Sequence, residues 1–170
     1  MRRHPAIGVL AAVVLASPAG AFTGTVSGVV DGDTIKVRSR GFEDTVRLLG
    51  IDTPETRRPG TPVQCWGPEA TRRAERLLPV GSRVEVVADP TQDRRDRYGR
   101  FLGYVRRMDM RVTVNFAMVL SGDARVYVFD RSRPFARAAS FRTAQRMARD
   151  AGRGLWGPPC DGRTDRPPPE

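Results

Sequence analysis

Histidine is almost absent from this chain: His4 is the only one, close to the start. That removes a histidine base, a His-ligated zinc and a Ser-His-Asp triad from the folded body. Cysteine is limited to Cys65 and Cys160, too few for a four-thiolate zinc site or a typical iron–sulfur cluster. Lysine occurs once, as Lys36. No apolar run approaches the roughly 20 residues needed to cross a bilayer. Chemistry is left to carboxylates, arginines, hydroxyls, backbone and a hard metal ion. At 170 residues, 28% charged and 39% hydrophobic, the chain has the size and apolar content of one globular domain with a real core. Its 17 Gly and 14 Pro make it rich in turns.

What is abundant is arginine, every basic residue but one in a chain of net charge +10. Its planar fork of donors grips phosphate or carboxylate bidentately. A phosphate-rich partner is the natural inference, with acidic lipid or cell-wall polymer as rivals and genome composition as the plain alternative.

Met1-Arg2-Arg3-His4-Pro5 is a short positive stretch, followed by an apolar run over residues 6–16 and the small residues Ala19-Gly20-Ala21. This pattern predicts a signal peptide over residues 1–21; an uncleaved anchor or a buried helix is the alternative. Its removal lowers the formal net charge from +10 to +8, since Arg2 and Arg3 leave with it. The expected product is exported, secreted or periplasmic, soluble, monomeric and without stable membrane association. In an oxidising compartment Cys65 and Cys160 are expected to pair, against the alternative of two buried free thiols. Such a bridge closes a long loop, which by chain entropy is worth about 4–5 kcal/mol.

Alternating β-branched segments predict strands at residues 23–30, 34–38, 44–51, 83–88 and 101–106. Helical spacing and caps predict helices at 68–78, 114–120 and 135–151, with Pro68 in a first turn and Gly122 and Gly152 as stops. Residues 89–97 read as a charged loop, with Asp93, Arg94, Arg95 and Asp96 solvated. Five short strands with one helix after the third and two at the end predict an α+β fold, a five-stranded OB-fold barrel with three α-helices. The domain spans residues 22–160. A Pro-rich tail over 161–170 is expected to be disordered. Trp66 and Trp156 are expected to pack around the bridge, and the methionines to fill gaps in the core.

Four acidic residues lie close together: Asp31, Asp33, Asp52 and Glu55. If adjacent strands bring Asp33 and Asp52 to one rim, carboxylates with little local cation favour a hard cation, calcium before magnesium, with the Thr53 carbonyl adding an oxygen. Asp31-Gly32-Asp33 is also an ordinary hairpin turn. Arg47 and Arg100 weigh on the first reading. Arginines beside a metal and a carboxylate supply what phosphodiester cleavage needs: charge neutralisation at phosphorus and help for an attacking water. Either arginine alone also reads as a solvated surface residue.

Val30-Asp31-Gly32-Asp33-Thr34-Ile35, Arg47-Leu48-Leu49-Gly50-Ile51-Asp52-Thr53-Pro54-Glu55, Gly67-Pro68-Glu69-Ala70 and Asp96-Arg97-Tyr98-Gly99-Arg100 together resemble the thermonuclease family, whose type member is staphylococcal nuclease. Asn115, Ala117 and residues 122–126 are similar to that family's second helix and the loop after it, and the resemblance runs from about Thr23 to Trp156. It implies an OB-fold barrel with three helices. It implies calcium on Asp33, Asp52 and the Thr53 carbonyl, the scissile phosphate gripped by Arg47 and Arg100, and Glu55 as general base. It also implies nucleotide contacts by Tyr98, with Arg97 beside it, and by Tyr127. The sequence departs from the family's pattern in carrying only Tyr127, with Phe129 nearby, where the type member presents two tyrosines. No lysine stands in the 59–62 loop, where Arg57 and Arg58 take the basic role. The implied function is an exported, calcium-dependent nuclease for DNA and RNA with little sequence preference, leaving 3′-phosphate ends. The alternatives are a non-catalytic OB-fold module that binds nucleic acid, and a scaffold for anionic envelope polymer.

Overall fold

In a computed structural model, which describes residues 20–56, 60 and 62–165, the first β-branched run forms an eleven-residue strand, β1 (Ala21–Asp31). Expectations placed on residues 1–19, on Arg57 and Arg58 and on residues 166–170 lie outside the described residues. β1 continues antiparallel into β2 (Thr34–Ser39) and then β3 (Phe42–Leu48). Its first half pairs with β5 (Arg83–Val87) and its second half with β2. Two register shifts, between Val26 and Gly28 and between Val29 and Asp31, bend the strand so that it serves both neighbours. β6 (Phe101–Arg107) runs antiparallel to β5 and parallel to β3, closing a barrel in the order β1-β2-β3-β6-β5.

Alternation decides what fills it. Ile35 and Val37 are fully buried while Lys36 and Arg38 face outward, and Val46, Leu48, Val84, Val86 and Val105 complete the interior. α1 (Gly67–Leu77) starts with Pro68 in its first turn and buries Ala70 and Ala74 at i, i+4 spacing. α2 (Val114–Leu120) is capped by the Thr113 hydroxyl, and α3 (Ala138–Asp150) buries Ala138, Phe141, Ala144 and Ala148. The Phe141 ring meets those of Phe135, Phe116 and Tyr104 edge-on at 5.3, 5.8 and 6.2 Å. Asn115, fully buried, ties α2 to the barrel: its amide donates to Leu49 O and Gly103 O, and its oxygen accepts from Val105 N. The fold is the expected five-stranded OB-type barrel with three α-helices.

Two boundaries differ from expectation. The helix expected from residue 135 begins at Ala138, because Phe135 turns inward and its carbonyl accepts from Ala138 N. The strand expected over 44–51 stops at Leu48, because Gly50 takes a φ of +81°. Beyond that turn β4 (Ile51–Asp52) pairs with β7 (Arg125–Val126), a ribbon outside the barrel and too short for alternation to announce.

Cys65 and Cys160 are joined, with Cα atoms 5.8 Å apart. The bridge pins the segment after the 3-10 turn Gly154–Trp156 to the entrance of α1. Replacing Cys160 with Ser is expected to cost about 4 kcal/mol, read as a lower Tm in calorimetry. Retention of the wild-type Tm would remove the bridge from the stability account. Trp66 donates its indole N–H to Asp123, and Trp156 lies between the guanidiniums of Arg125 and Arg149.

The charged loop after β5 hides one structural residue. Asp89 is buried and accepts from Thr91 N, the Thr91 hydroxyl, Ala136 N and the Tyr104 hydroxyl. Burial opposes its ionisation, but these bonds outweigh it and hold the carboxyl below its ordinary range. Burial and the neighbouring Asp89 push the Tyr104 phenol up. Asp89→Ala strands the Tyr104 hydroxyl and Ala136 N–H, so we expect a loss of about 3 kcal/mol at pH 7 in urea unfolding. With a depressed folded value, the charge stabilises above the ordinary carboxylate pKa and ceases to do so as pH falls through the folded one. The gap between wild type and Asp89→Asn should therefore shrink in acid; a gap that widened there would contradict the assignment.

Candidate active site

β2 and β3 place Thr34 opposite Arg47, and Leu48 N donates to Asp33 O, so the Arg47 side chain emerges beside the turn before β2. Asp52, on β4, reaches the same point from the other side of the Gly50 turn. One guanidinium nitrogen, Arg47 Nη2, lies 3.0 Å from Asp33 Oδ2 and 3.1 Å from Asp52 Oδ1. Arg47 Nη1 donates to Ile51 O at 2.9 Å and Leu48 O at 3.2 Å. Arg47 is thus a half-buried strut whose orientation is fixed by four acceptors. Thr53 N donates to Asp33 Oδ2 at 3.0 Å, drawing the 52–55 segment onto the β1–β2 turn. A Cβ at Gly32 would stand 2.8 Å from the Thr53 side chain, so only glycine permits this approach.

Asp31 completes the acidic corner. Burial first, and then the charge of Asp33, raise its pKa to about 6.

Glu55 is fixed through the backbone. Its N–H donates to Gln64 Oε1 at 2.8 Å, its carbonyl accepts from Gln64 N, and its carboxylate accepts from Thr56 N at 3.0 Å. Across the opening, the turn before β6 carries Arg100. Asp96 accepts from the backbone N–H groups of Tyr98 and Arg100 and, at 2.7 Å, from Arg100 Nε. Asp96 is therefore not the solvated loop residue expected from the charge run: it builds the turn and aims Arg100, while Arg95 pairs with Asp44 on β3. Tyr98 is exposed, with the guanidiniums of Arg97 and Arg100 at 4.8 and 5.4 Å from its ring centre.

These groups face one cavity of about 740 Å³, lined by Asp33, Arg47, Asp52, Thr53, Glu55, Arg97, Tyr98, Arg100 and Tyr127. Tyr127 reaches its rim because Tyr127 N donates to Gly50 O, and exposed Phe129 lines it too. Of the residues singled out from the sequence for chemistry or substrate contact, all those described lie on this one cavity; Arg57 and Arg58 lie outside the described residues. Sequence reading did not single out Gln64 and Asp96 as positioning residues; an Asp two before Tyr98-Gly99 was the available signal for the second, and Gln64 carried none.

Among the described residues no three acidic, histidine or cysteine side chains gather as a ready metal cage. The donor chemistry nevertheless fits a hard cation. Asp33 and Asp52 already converge on one positive group, and a hard cation in its place would need backbone and water oxygens to complete its shell.

Comparison with known proteins agrees with this geometry. Residues 45–158 match the family model described as staphylococcal nuclease homologue. "Endonuclease YncB" of Bacillus subtilis (strain 168) is 38% identical over 133 residues, 78% of this chain and 60% of that protein. "SPbeta prophage-derived endonuclease YokF" of the same organism is 49% identical over 81 residues, 48% of this chain and 27% of that protein. "Thermonuclease" of Staphylococcus intermedius is 41% identical over 92 residues, 54% of this chain and 53% of that protein. The chain thus spans between 27% and 60% of these curated relatives. With this barrel, and a family match running from β3 to the segment before Cys160, the chain belongs to the staphylococcal nuclease homologue family.

Proposed function

We propose that the chain is an exported, calcium-dependent nuclease that hydrolyses phosphodiester bonds of DNA and RNA with little sequence preference and leaves 3′-phosphate ends. The observation that carries this reading is the meeting of Arg47, Arg100, Glu55 and the Asp33–Asp52 pair on one open cavity. The names of its relatives, endonuclease and thermonuclease, support the same class.

In this reading Arg100 offers its outer N–H groups to a phosphate, since the Asp96 carboxylate engages its Nε side. Arg47, already oriented, faces the same phosphate from the acidic corner. Both stabilise charge that grows on phosphoryl oxygens as water attacks. Glu55 accepts the proton of that water. Asp33, Asp52 and the Thr53 carbonyl would hold calcium, which when bound supplies further neutralisation of the phosphate. Tyr98, Arg97 and Tyr127 border the nucleotide, where aromatic faces stack on bases irrespective of sequence.

Export is proposed on the 1–21 leader pattern and on the Cys65–Cys160 bridge, which suits a secreted or periplasmic setting. Among the described residues no helix is long and apolar enough to cross a membrane. We assign residues 22–160 to the nuclease domain and 161–170 to the tail, and take the protein as a monomer.

The test is cleavage of heat-denatured DNA with calcium, then with a chelator. Cleavage should occur in the first and cease in the second, with product 3′ ends that join a 5′-phosphorylated adapter only after phosphatase treatment. Binding without cleavage under both conditions would favour the non-catalytic module instead.

A further inference from the structure

Arg142, Arg146 and Arg149 stand at i, i+4 and i+7 on α3, which places them in one exposed stripe about 10 Å long. Among the described residues none of the three pairs with a carboxylate; the one hydrogen bond from Arg146 goes to Thr143 Oγ1. Asp150 follows Arg149 at the end of the helix but bonds to none of the three, so these adjacent cations repel one another and their shared direction is a cost that a polyanion relieves.

The stripe is joined to the cavity described above. Gln145, beside it on the helix, accepts from Val126 N and so lays this flank of α3 along β7. β7 carries Arg125, paired in register with Asp52. Between Arg125 and Arg149 lies the Trp156 ring, with guanidiniums at 4.8 and 5.0 Å from its centre. Arg149 rests against this ring, while Arg125 is anchored by a bond to Gly162 O. From Asp52 the surface therefore continues through Arg125, Trp156 and Arg149 to Arg146 and Arg142.

We propose that this Trp156-to-Arg142 track is a second contact surface for the sugar-phosphate backbone of a single nucleic-acid strand whose scissile bond sits in the active-site cavity. The inference rests on the nucleic-acid substrate proposed above and extends it by stating where the strand runs. Three guanidiniums spread over about 10 Å offer one phosphate contact each to a strand laid along them. An anionic membrane is a poorer fit. Membrane-surface helices present an apolar face to lipid, whereas the apolar face of α3 is buried in the core.

The test compares binding of a labelled single strand of about 20 nucleotides with that of a labelled dinucleotide, by fluorescence anisotropy of the full chain in chelator. The variant is Arg142→Gln/Arg146→Gln/Arg149→Gln; the charge-matched control, on α1 and β5, is Arg72→Gln/Arg76→Gln/Arg83→Gln. The ratio of strand affinity to dinucleotide affinity should fall at least about tenfold in the variant and less than about twofold in the control. The salt slope of strand binding should drop by about 2, near 0.7 per lost phosphate contact. An unchanged ratio and slope would overturn the track while leaving the nuclease reading intact. Equal loss in the control would reduce it to diffuse charge. Loss of binding to vesicles of anionic lipid without loss of strand binding would assign the stripe to membranes. Failure of the wild-type chain both to bind the strand here and to cleave it in calcium would remove both proposals together.

Discussion

Changing Glu55 to Gln is expected to slow cleavage of denatured DNA by about 10²–10⁴-fold, the usual contribution of a positioned general base. The substitution keeps the shape of the side chain and an oxygen for Thr56 N, which contacts the carboxylate at 3.0 Å. The backbone bonds that tie residue 55 to Gln64 do not involve the carboxylate, so the loop should keep its path. What is lost is the negative charge able to take a proton from water. Binding of a nucleotide bisphosphate in calcium should change little, because the groups proposed to face the phosphate are Arg47 and Arg100. Single-turnover kinetics on a labelled oligonucleotide measures the first effect and calorimetric titration the second. Wild-type cleavage by the Gln variant would take the base assignment from Glu55.

The barrel was legible because its strands are half-buried and say so in their alternation. Ile35-Lys36-Val37-Arg38 can be read residue by residue, inside and outside. The helices were legible through Pro68, the apolar spacing of Ala70 and Ala74, and that of Phe141, Ala144 and Ala148. Less legible were elements whose reason is tertiary. β4 and β7 are two residues each, and only the turn at Gly50 and the packing of α3 bring them together. Asp89 and Asp96 sit in one charged run and look alike in sequence. One is buried under four hydrogen bonds and the other aims an arginine, and that division follows from where the loop folds back.

The acidic corner shows the same limit at closer range. The sequence suggested that Asp33 and Asp52 meet. It did not reveal that they meet on Arg47, so that one guanidinium bears on both the cation-binding and phosphate-binding sides of the proposed chemistry. If Asp33 and Asp52 held a cation, Arg47 would lose part of its ion pairing and its donors would be freed for phosphate. Calcium and substrate binding should therefore be coupled through this side chain.

That double engagement separates the expected behaviour of the two arginines. Arg47→Lys keeps the charge but loses the fork, and an ammonium cannot span Leu48 O, Ile51 O, Asp33 and Asp52 together. We expect kcat to fall by about 10²–10³-fold, the scale for loss of one positioned donor to a developing anion, with a lowered Tm because the acidic corner is left under-neutralised. Arg100→Lys should lose turnover on the same scale with little change in Tm, since Arg100 is more exposed and its side chain meets Asp96 and the Tyr98 ring within its own turn. Asp96→Asn should fall between wild type and Arg100→Lys in kcat, because it loosens the aim of Arg100 without removing the fork. Arg76→Lys on α1 is the control and should retain wild-type kcat. Turnover on denatured DNA and thermal unfolding, measured on the same four variants, distinguish these outcomes. If Arg100→Lys stayed within about threefold of wild type, or Arg76→Lys lost as much, the phosphate grip would belong to overall charge rather than to this pair.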